Sequence, residues 1–293
     1  MSSSLLRRVN LWSGIPLAGF HLGCLLVIWV GVSWPAVIAC AAVYWTQIFG
    51  VSAGYHRYFA HRSFRTSRWL QFLLAVLGAT SAQMGPLWWS SHHRRHHQFA
   101  DTEDDIHSPI RTGFLWSHLG WILSDEYKDI DPKYVKDWLR FPELVWLDRL
   151  RYLPPLGVGV ILFVVGSWIA AYRPQWGASG WQLVVWGSFV GTTLCYQVTF
   201  CINSVTHLIG RRRFETHDNS RNVWFLALLT NGEGWHNNHH RYPSSERQGF
   251  FWWELDVTHY LLQVLKAVGL VWGIKEPPPV IYEETRARPS AAS

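Results

Sequence analysis

Thiolate chemistry has little material in this sequence. Its 293 residues include four cysteines, Cys24, Cys40, Cys195 and Cys201, all inside apolar stretches and none in a C-x-x-C pair. They read as small buried hydrophobes, which argues against a disulfide framework and against thiolate ligation of a metal. Charge is scarce too: Asp, Glu, Lys and Arg make up 16% of the chain, against about 25% in an ordinary soluble domain. The scarcity is local, because the stretches 12–33, 36–55, 153–172 and 181–206 contain none of the four charged types. No internal repeat is present, and neither is the basic helix or the aromatic-and-basic repeat of a nucleic-acid module. The formal charge of +6 therefore points to anionic headgroups or an acidic partner, and nucleic acid is excluded.

Tryptophan is abundant instead, with 20 residues, and indole rings favour the membrane–water interface. A helical span takes about 20 mostly apolar residues, so each of the four uncharged stretches is expected to cross a bilayer. The segment 69–89 is apolar enough to compete, but a fifth span would separate histidine clusters that belong together, so it is read as a helix at the interface. Of the 26 Lys and Arg residues, only Arg173 lies in the two short loops between spans. The positive-inside rule then places both termini and all the histidine clusters in the cytoplasm. Arg7 and Arg8 imitate a signal peptide, but the apolar run behind them is too long and lacks a small-residue cleavage site. The expected fold is an all-α integral membrane protein: one domain over 1–293, four transmembrane helices and a cytosolic helical cap from 56–151 and 208–275. The tail 276–293 has the composition of a disordered segment.

Fifteen histidines carry the chemistry. On a helix, positions i, i+3 and i+4 share a face. His93, His96 and His97 have that spacing, and so do His236, His239 and His240, so each cluster is expected to aim three imidazoles at one point. His56 and His61 are five apart and converge only where a helix ends or is distorted. Asn203 and His207 are again i and i+4. Imidazole suits iron, zinc, copper and nickel. Nine imidazoles exceed the needs of one ion, whereas two ions with four or five ligands each use them all. His21, His217 and His259 read as hydrogen-bonding or surface residues, and His92, His107 and His118 as candidates to support the ligands.

The order "GYHRYFAHRSF", "HRRHHQF", "NSVTH" and "GEGWHNNHHRYP" resembles the membrane fatty-acid desaturases, closest to the stearoyl-CoA desaturase branch and its bacterial acyl-CoA relatives. The likeness runs from about 50 to 255 and includes "HSPIRTGFLWSHLGW". It implies a diiron centre with dioxygen as co-substrate, zinc being able to replace iron in purified protein. The implied ligands are His56, His61, His93, His96, His97, His207, His236, His239 and His240, with Asn203 reaching one metal through water. It also implies insertion of a cis double bond into a long acyl chain. Trp89 matches a tryptophan lining the bend of the substrate tunnel, although an interfacial aromatic fits that position as well.

Two departures limit the resemblance. Ser91 and His92 stand where the animal enzymes have an Arg–Asp pair, the Arg contacting coenzyme A, and only Arg111 remains of a further basic pair. A coenzyme A thioester stays the first expectation, with a carrier-protein- or lipid-bound chain open beside it. No extra soluble module is present to hold an electron carrier, so a separate ferredoxin or b-type cytochrome is expected. Related histidine-box enzymes hydroxylate or make acetylenic bonds, which the boxes do not exclude. A metal transporter is the non-enzyme alternative, but its polar ligands belong near mid-membrane and not in polar segments on one side.

Overall fold

The computed structural model describes residues 9, 10, 12 and 14–286, and is mostly helical. The helices that place the site are α1 (Ile15–Val30), α2 (Trp34–Ala60), α3 (Arg68–Ala79), α4 (Pro86–Phe99), α5 (Leu153–Tyr172), α6 (Gly180–His207), α7 (His236–Arg241), α8 (Val257–Ala267) and α9 (Val280–Arg286). Strands are almost absent: Arg65–Thr66 pairs antiparallel with Val271–Trp272.

Among the described residues, α2, α5 and α6 are the helices long and apolar enough to cross a membrane. Helix α5 shows why: Leu156, Val160, Ile161, Val164 and Trp168 are exposed, while its inward face buries only Leu162, Gly166 and Ile169. Water would penalise that surface and lipid does not. Helix α1, expected as a fourth span over 12–33, is a 16-residue helix interrupted by a 3-10 turn at Cys24–Leu26, roughly 24 Å at the usual rise. Its position is informative all the same. The turn between α1 and α2 meets the turn between α5 and α6, where Trp34 packs on Trp176 and Gln182 donates to the Val30 carbonyl. The opposite end of α1 reaches the level of the histidines, since Pro16 and Leu17 line a cavity together with His93.

Helix α3 stops at Ala79 after 12 residues, and the chain then turns before α4 starts at Pro86. The segment 69–89 is therefore two helices, neither long enough to span. Close packing of α2 on α3 depends on glycine. A Cβ at Gly50 would sit 2.4 Å from the Leu77 carbonyl carbon, and one at Gly54 would sit 2.7 Å from the Leu74 oxygen. Small residues four apart let two backbones approach this closely. Behind that contact Tyr55, Phe59, Leu74, Leu144 and Leu147 belong to the largest core cluster.

The expected disorder after 276 does not hold at α9. Ile281 is fully buried against Phe214 and Phe250, and Arg241 pairs with Glu284 at 2.7 Å. The composition of "KEPPPVIYEETR" hid one apolar residue with a pocket waiting for it. Residues 287–293 of that expectation lie outside the described residues.

Candidate metal centre

The nine histidines arrive on four elements, each shaped for the task. The last part of α2, Gly50–Ala60, is π-helical, and the His61 amide donates to the His56 carbonyl at 3.1 Å. With bonds from i to i+5, a five-residue spacing returns to the same face. The two imidazole centroids lie 4.8 Å apart, which is how an awkward spacing converges. Helix α4 starts with free backbone N–H groups at Leu87 and Trp88, and the buried Asp148 carboxylate accepts from both. His207 ends α6 in a 3-10 turn, and α7 carries the third box.

The rings assemble into two groups, and in each the possible ligand atoms all lie within 4.8 Å of one another. One group is His56, His61, His93, His97 and His239; the other is His96, His207, His236 and His240. Neither box aims all three imidazoles at one point, contrary to expectation. At about 100° per residue, i+3 and i+4 fall on either side of i and diverge from each other by about 100°. His93 and His97 stay together while His96 crosses to the other group, and His236 and His240 stay together while His239 crosses.

Nitrogen distances favour metal over hydrogen bonds. Nε2 atoms lie 3.0 Å apart in His56–His239, 2.9 Å in His61–His93, 2.9 Å in His97–His239 and 3.1 Å in His207–His236. At a metal–nitrogen distance of about 2.1 Å, two ligands at right angles sit about 3.0 Å apart. The Nε2 of His239 faces two such partners at once, yet a neutral ring has one proton to share. His96 Nε2 and His240 Nε2 are buried with no hydrogen-bond partner among the described residues. Lone pairs stranded in this way suit a cation, so the residues fit two imidazole-bound metal ions.

Carboxylates orient the rings. Asp105 sits 2.9 Å from His96 Nδ1, Asp101 2.9 Å from His207 Nδ1, and Asp218 2.7 Å from His240 Nδ1. Each accepts the Nδ1 proton and leaves Nε2 free to ligate. All three serve the four-histidine group. The five-histidine group has one such partner, Glu233 against His56 Nδ1. A carboxylate raises the basicity of its imidazole, so the group with fewer ligands has the stronger ones. Glu233 is held in turn by the fully buried Arg57, which also pairs with Glu246 at 3.2 Å and Asp256 at 2.9 Å.

Electrostatics keep these groups in ligating form. Burial, reinforced by neighbouring histidines, pushes His93, His97, His236 and His239 well below the usual histidine range. Burial also takes His240 down to about 4, against the pull of Asp218. His96 is the exception: burial lowers it, but Asp105 outweighs that and raises it. Burial disfavours the charged form of Asp101, Asp105 and Asp218 as well, yet their histidine and hydrogen-bond partners hold all three below the usual carboxylate range. Glu233 falls to about 2 by the same balance, through His56 and Arg57. Sequence reasoning missed these four carboxylates. Asp101 and Asp105 follow the second box directly, and Glu233 precedes His236 by three positions, so a signal was present.

The fatty acid desaturase family profile matches residues 32–274. An sn-2 palmitoyl-lipid 9-desaturase of Nostoc sp. (strain 36) is 38% identical, covering 92% of this chain and 91% of its own. Delta-9 acyl-lipid desaturase 1 of Arabidopsis thaliana is 37% identical over 92% of this chain and 85% of its own. An acyl-CoA C20 Delta5-desaturase of Anemone leveillei is 34% identical over 89% and 80%. The chain belongs to the fatty acid desaturase family. It is an oxidoreductase, and the family resemblance of the histidine boxes is borne out.

Beside the histidine groups the desaturase has a cavity of about 210 Å³. Trp89, His93 and Asn203 line it next to the histidines, and Ala82, Met84, Trp88, Tyr196 and Phe200 give it apolar walls. Asn203 also lines a smaller cavity bounded by His56, His93, His96 and His236. The Trp89 ring stacks on His93 with centroids 4.8 Å apart, so it walls the space directly against a histidine of the five-membered group. Of the supporting candidates, His107 stacks on His96 at 4.2 Å and touches the site. His92 bonds the Trp88 carbonyl, and His118 bonds Gln197 and Ser204, so neither is hydrogen-bonded to any of the nine histidines. His217 is 62% exposed, while His21 bonds Leu17 and His259 bonds Glu246, in keeping with their reading as surface or hydrogen-bonding residues.

Proposed function

We propose that this desaturase inserts a cis double bond into a long acyl chain esterified in a membrane lipid, using two iron ions, dioxygen and two electrons. The carrying observation is the division of nine imidazoles into a five and a four beside a largely apolar cavity. Histidines His56, His61, His93, His97 and His239 would hold one ion, and His96, His207, His236 and His240 the other, with Asn203 placed to reach one through water. Bound iron would supply the oxidation of an unactivated methylene by dioxygen, which no acid or base on this chain can accomplish. In balance, dioxygen takes two hydrogens from adjacent carbons, two electrons from a donor and two protons, and leaves as two waters.

The chain's own residues bind and orient. Trp89 and the apolar walls hold the acyl chain against the metals and exclude water, which converts loose encounter into fixed geometry. Asp101, Asp105, Asp218 and Glu233 hold the Nδ1 protons and keep the rings aimed. Two features favour a lipid-bound chain over a thioester. Arg151 and Tyr152 line the cavity immediately before α5 begins at Leu153, which supports access from membrane level. The Nostoc and Arabidopsis relatives are named as lipid desaturases, although the Anemone enzyme is named for acyl-CoA.

Orientation belongs to the same reading. Antiparallel α1 and α2 would form one hairpin and α5 and α6 another, both turning at the end away from the metals. This supports four crossings despite the shortness of α1, and the Lys/Arg asymmetry supports a cytoplasmic metal face. Electrons would come from a separate acidic protein meeting that basic face. Lipid profiling of a host expressing the chain tests the function: new monounsaturated acyl groups should appear in glycerolipids before the acyl-CoA pool. Hydroxylated products, or unsaturation confined to acyl-CoA, would overturn the respective half of the proposal.

A further inference from the structure

One part of the cavity wall is cationic. Lys128 and Arg151 line it with Tyr152, and no carboxylate is among its lining residues. Lys128 is 58% exposed and pairs with Asp125 at 3.7 Å, so this part of the wall meets the surface. Arg151 is half-buried. One terminal nitrogen donates to the Asp148 carbonyl at 3.3 Å, and the guanidinium lies 5.3 Å from the Tyr152 ring centroid. Its Nε is buried with no hydrogen-bond partner among the described residues. The nearby Asp148 carboxylate takes the Leu87 and Trp88 amides on one oxygen and acts on Arg151 through its charge, with no hydrogen bond from the guanidinium to the carboxylate. An orphaned guanidinium donor costs stability unless something fills the place.

Resting on the lipid-desaturase reading, we propose that Arg151, assisted by Lys128, binds the phosphate of the substrate at the cavity mouth. Guanidinium presents paired donors that match phosphate oxygens, and the lysine adds a point charge. The phosphate of a glycerophospholipid and the phosphates of coenzyme A share this chemistry; an uncharged galactolipid lacks it. A clamp at a fixed place on the cavity wall also sets how far the chain reaches in, and so which carbons meet the metals. Arg151 is thus a positioning residue for regiochemistry as well as affinity.

The test uses the full chain reconstituted with its metals and a reductant, and compares acyl chains presented as phosphatidylglycerol, as monogalactosyldiacylglycerol and as acyl-CoA. Wild type should prefer a phosphate-bearing substrate, and comparing phosphatidylglycerol with acyl-CoA identifies the source. Arg151→Gln should raise KM for that substrate about tenfold or more, the loss expected for one charged hydrogen bond, with kcat within about twofold. The galactolipid should change little, and Arg151→Lys should restore part of the preference. Exposed Lys128→Gln should give a smaller shift of the same sign without threatening folding. Equal losses on all three substrates would mean a structural role and overturn the proposal, as would unchanged KM or a wild-type preference for the galactolipid. A wild type that desaturates none of the three would defeat the desaturase reading itself, and this site with it.

Discussion

Replacing Asp218 by Asn separates the two metal positions. Asp218 is buried, accepts from the Ser220 amide and the Thr216 hydroxyl at 2.9 Å through one oxygen, and faces His240 Nδ1 at 2.7 Å with the other. Asparagine keeps the shape. Its carbonyl must stay on the Ser220 side, so its NH2 turns toward His240 Nδ1. That nitrogen then has to accept, which moves the ring proton to Nε2, the atom needed for the metal. Loss of such a partner typically costs ten- to a hundredfold in metal affinity, about 1.4–2.7 kcal/mol. The cost should fall on the four-histidine position alone, because Asp218 touches no histidine of the five. Metal counting by mass spectrometry under increasing chelator reads this out. At a concentration where wild type keeps two ions, Asp218→Asn should keep one, and so should Glu233→Gln, which acts through His56 on the other group. The double variant should keep none. A double variant that keeps one ion would show that both act on the same site, and an Asp218→Asn protein as retentive as wild type would refute the argument.

Alanine at His96 or His239 should abolish desaturation while the protein still inserts in membranes; full activity would remove that histidine from the ligand set. His217→Ala should leave activity intact, whereas His259→Ala should lower the melting temperature by freeing the buried Glu246 beside Arg57, and an unchanged melting temperature would contradict that network. Metal-free protein should lose stability as pH falls below about 6.5, the unfolded histidine value. There the unfolded chain takes up protons that the depressed His93, His97, His236, His239 and His240 refuse, and the depressed carboxylates add a further loss near pH 4. Melting temperatures in detergent from pH 8 to 5 that stay flat would count against this. Single cysteines at the exposed Thr102 and His217 should label from one side of the membrane and one at Gln175 from the other; labelling of Thr102 and His217 from opposite faces would break the shared cavity.

Local spacing carried the boxes, because i, i+3 and i+4 need only a helix. It could not carry the allotment of His96 and His239 to opposite groups, which depends on how α4, α7 and the end of α6 dock. The His56–His61 spacing stayed ambiguous for a different reason. A π-helix depends on packing, here the glycine contacts of α2 on α3, and leaves little trace in periodicity. The three long apolar helices α2, α5 and α6 were legible from the missing charge, whereas α1 came out shorter than its apolar run. Asp101, Asp105 and Asp218 look like loop residues until the fold turns them inward. The Arg57 cluster was invisible for the same reason, since Glu233, Glu246 and Asp256 lie more than a hundred residues away along the chain.

The central claim is that nine imidazoles and no carboxylate or thiolate hold two metal ions. X-ray absorption on protein purified from iron-replete cells, with the metal counted per chain, tests it most directly. The account expects two iron ions per chain in a shell dominated by imidazole nitrogen at about 2.1 Å. A single ion per chain, or a shell containing sulfur, would contradict it.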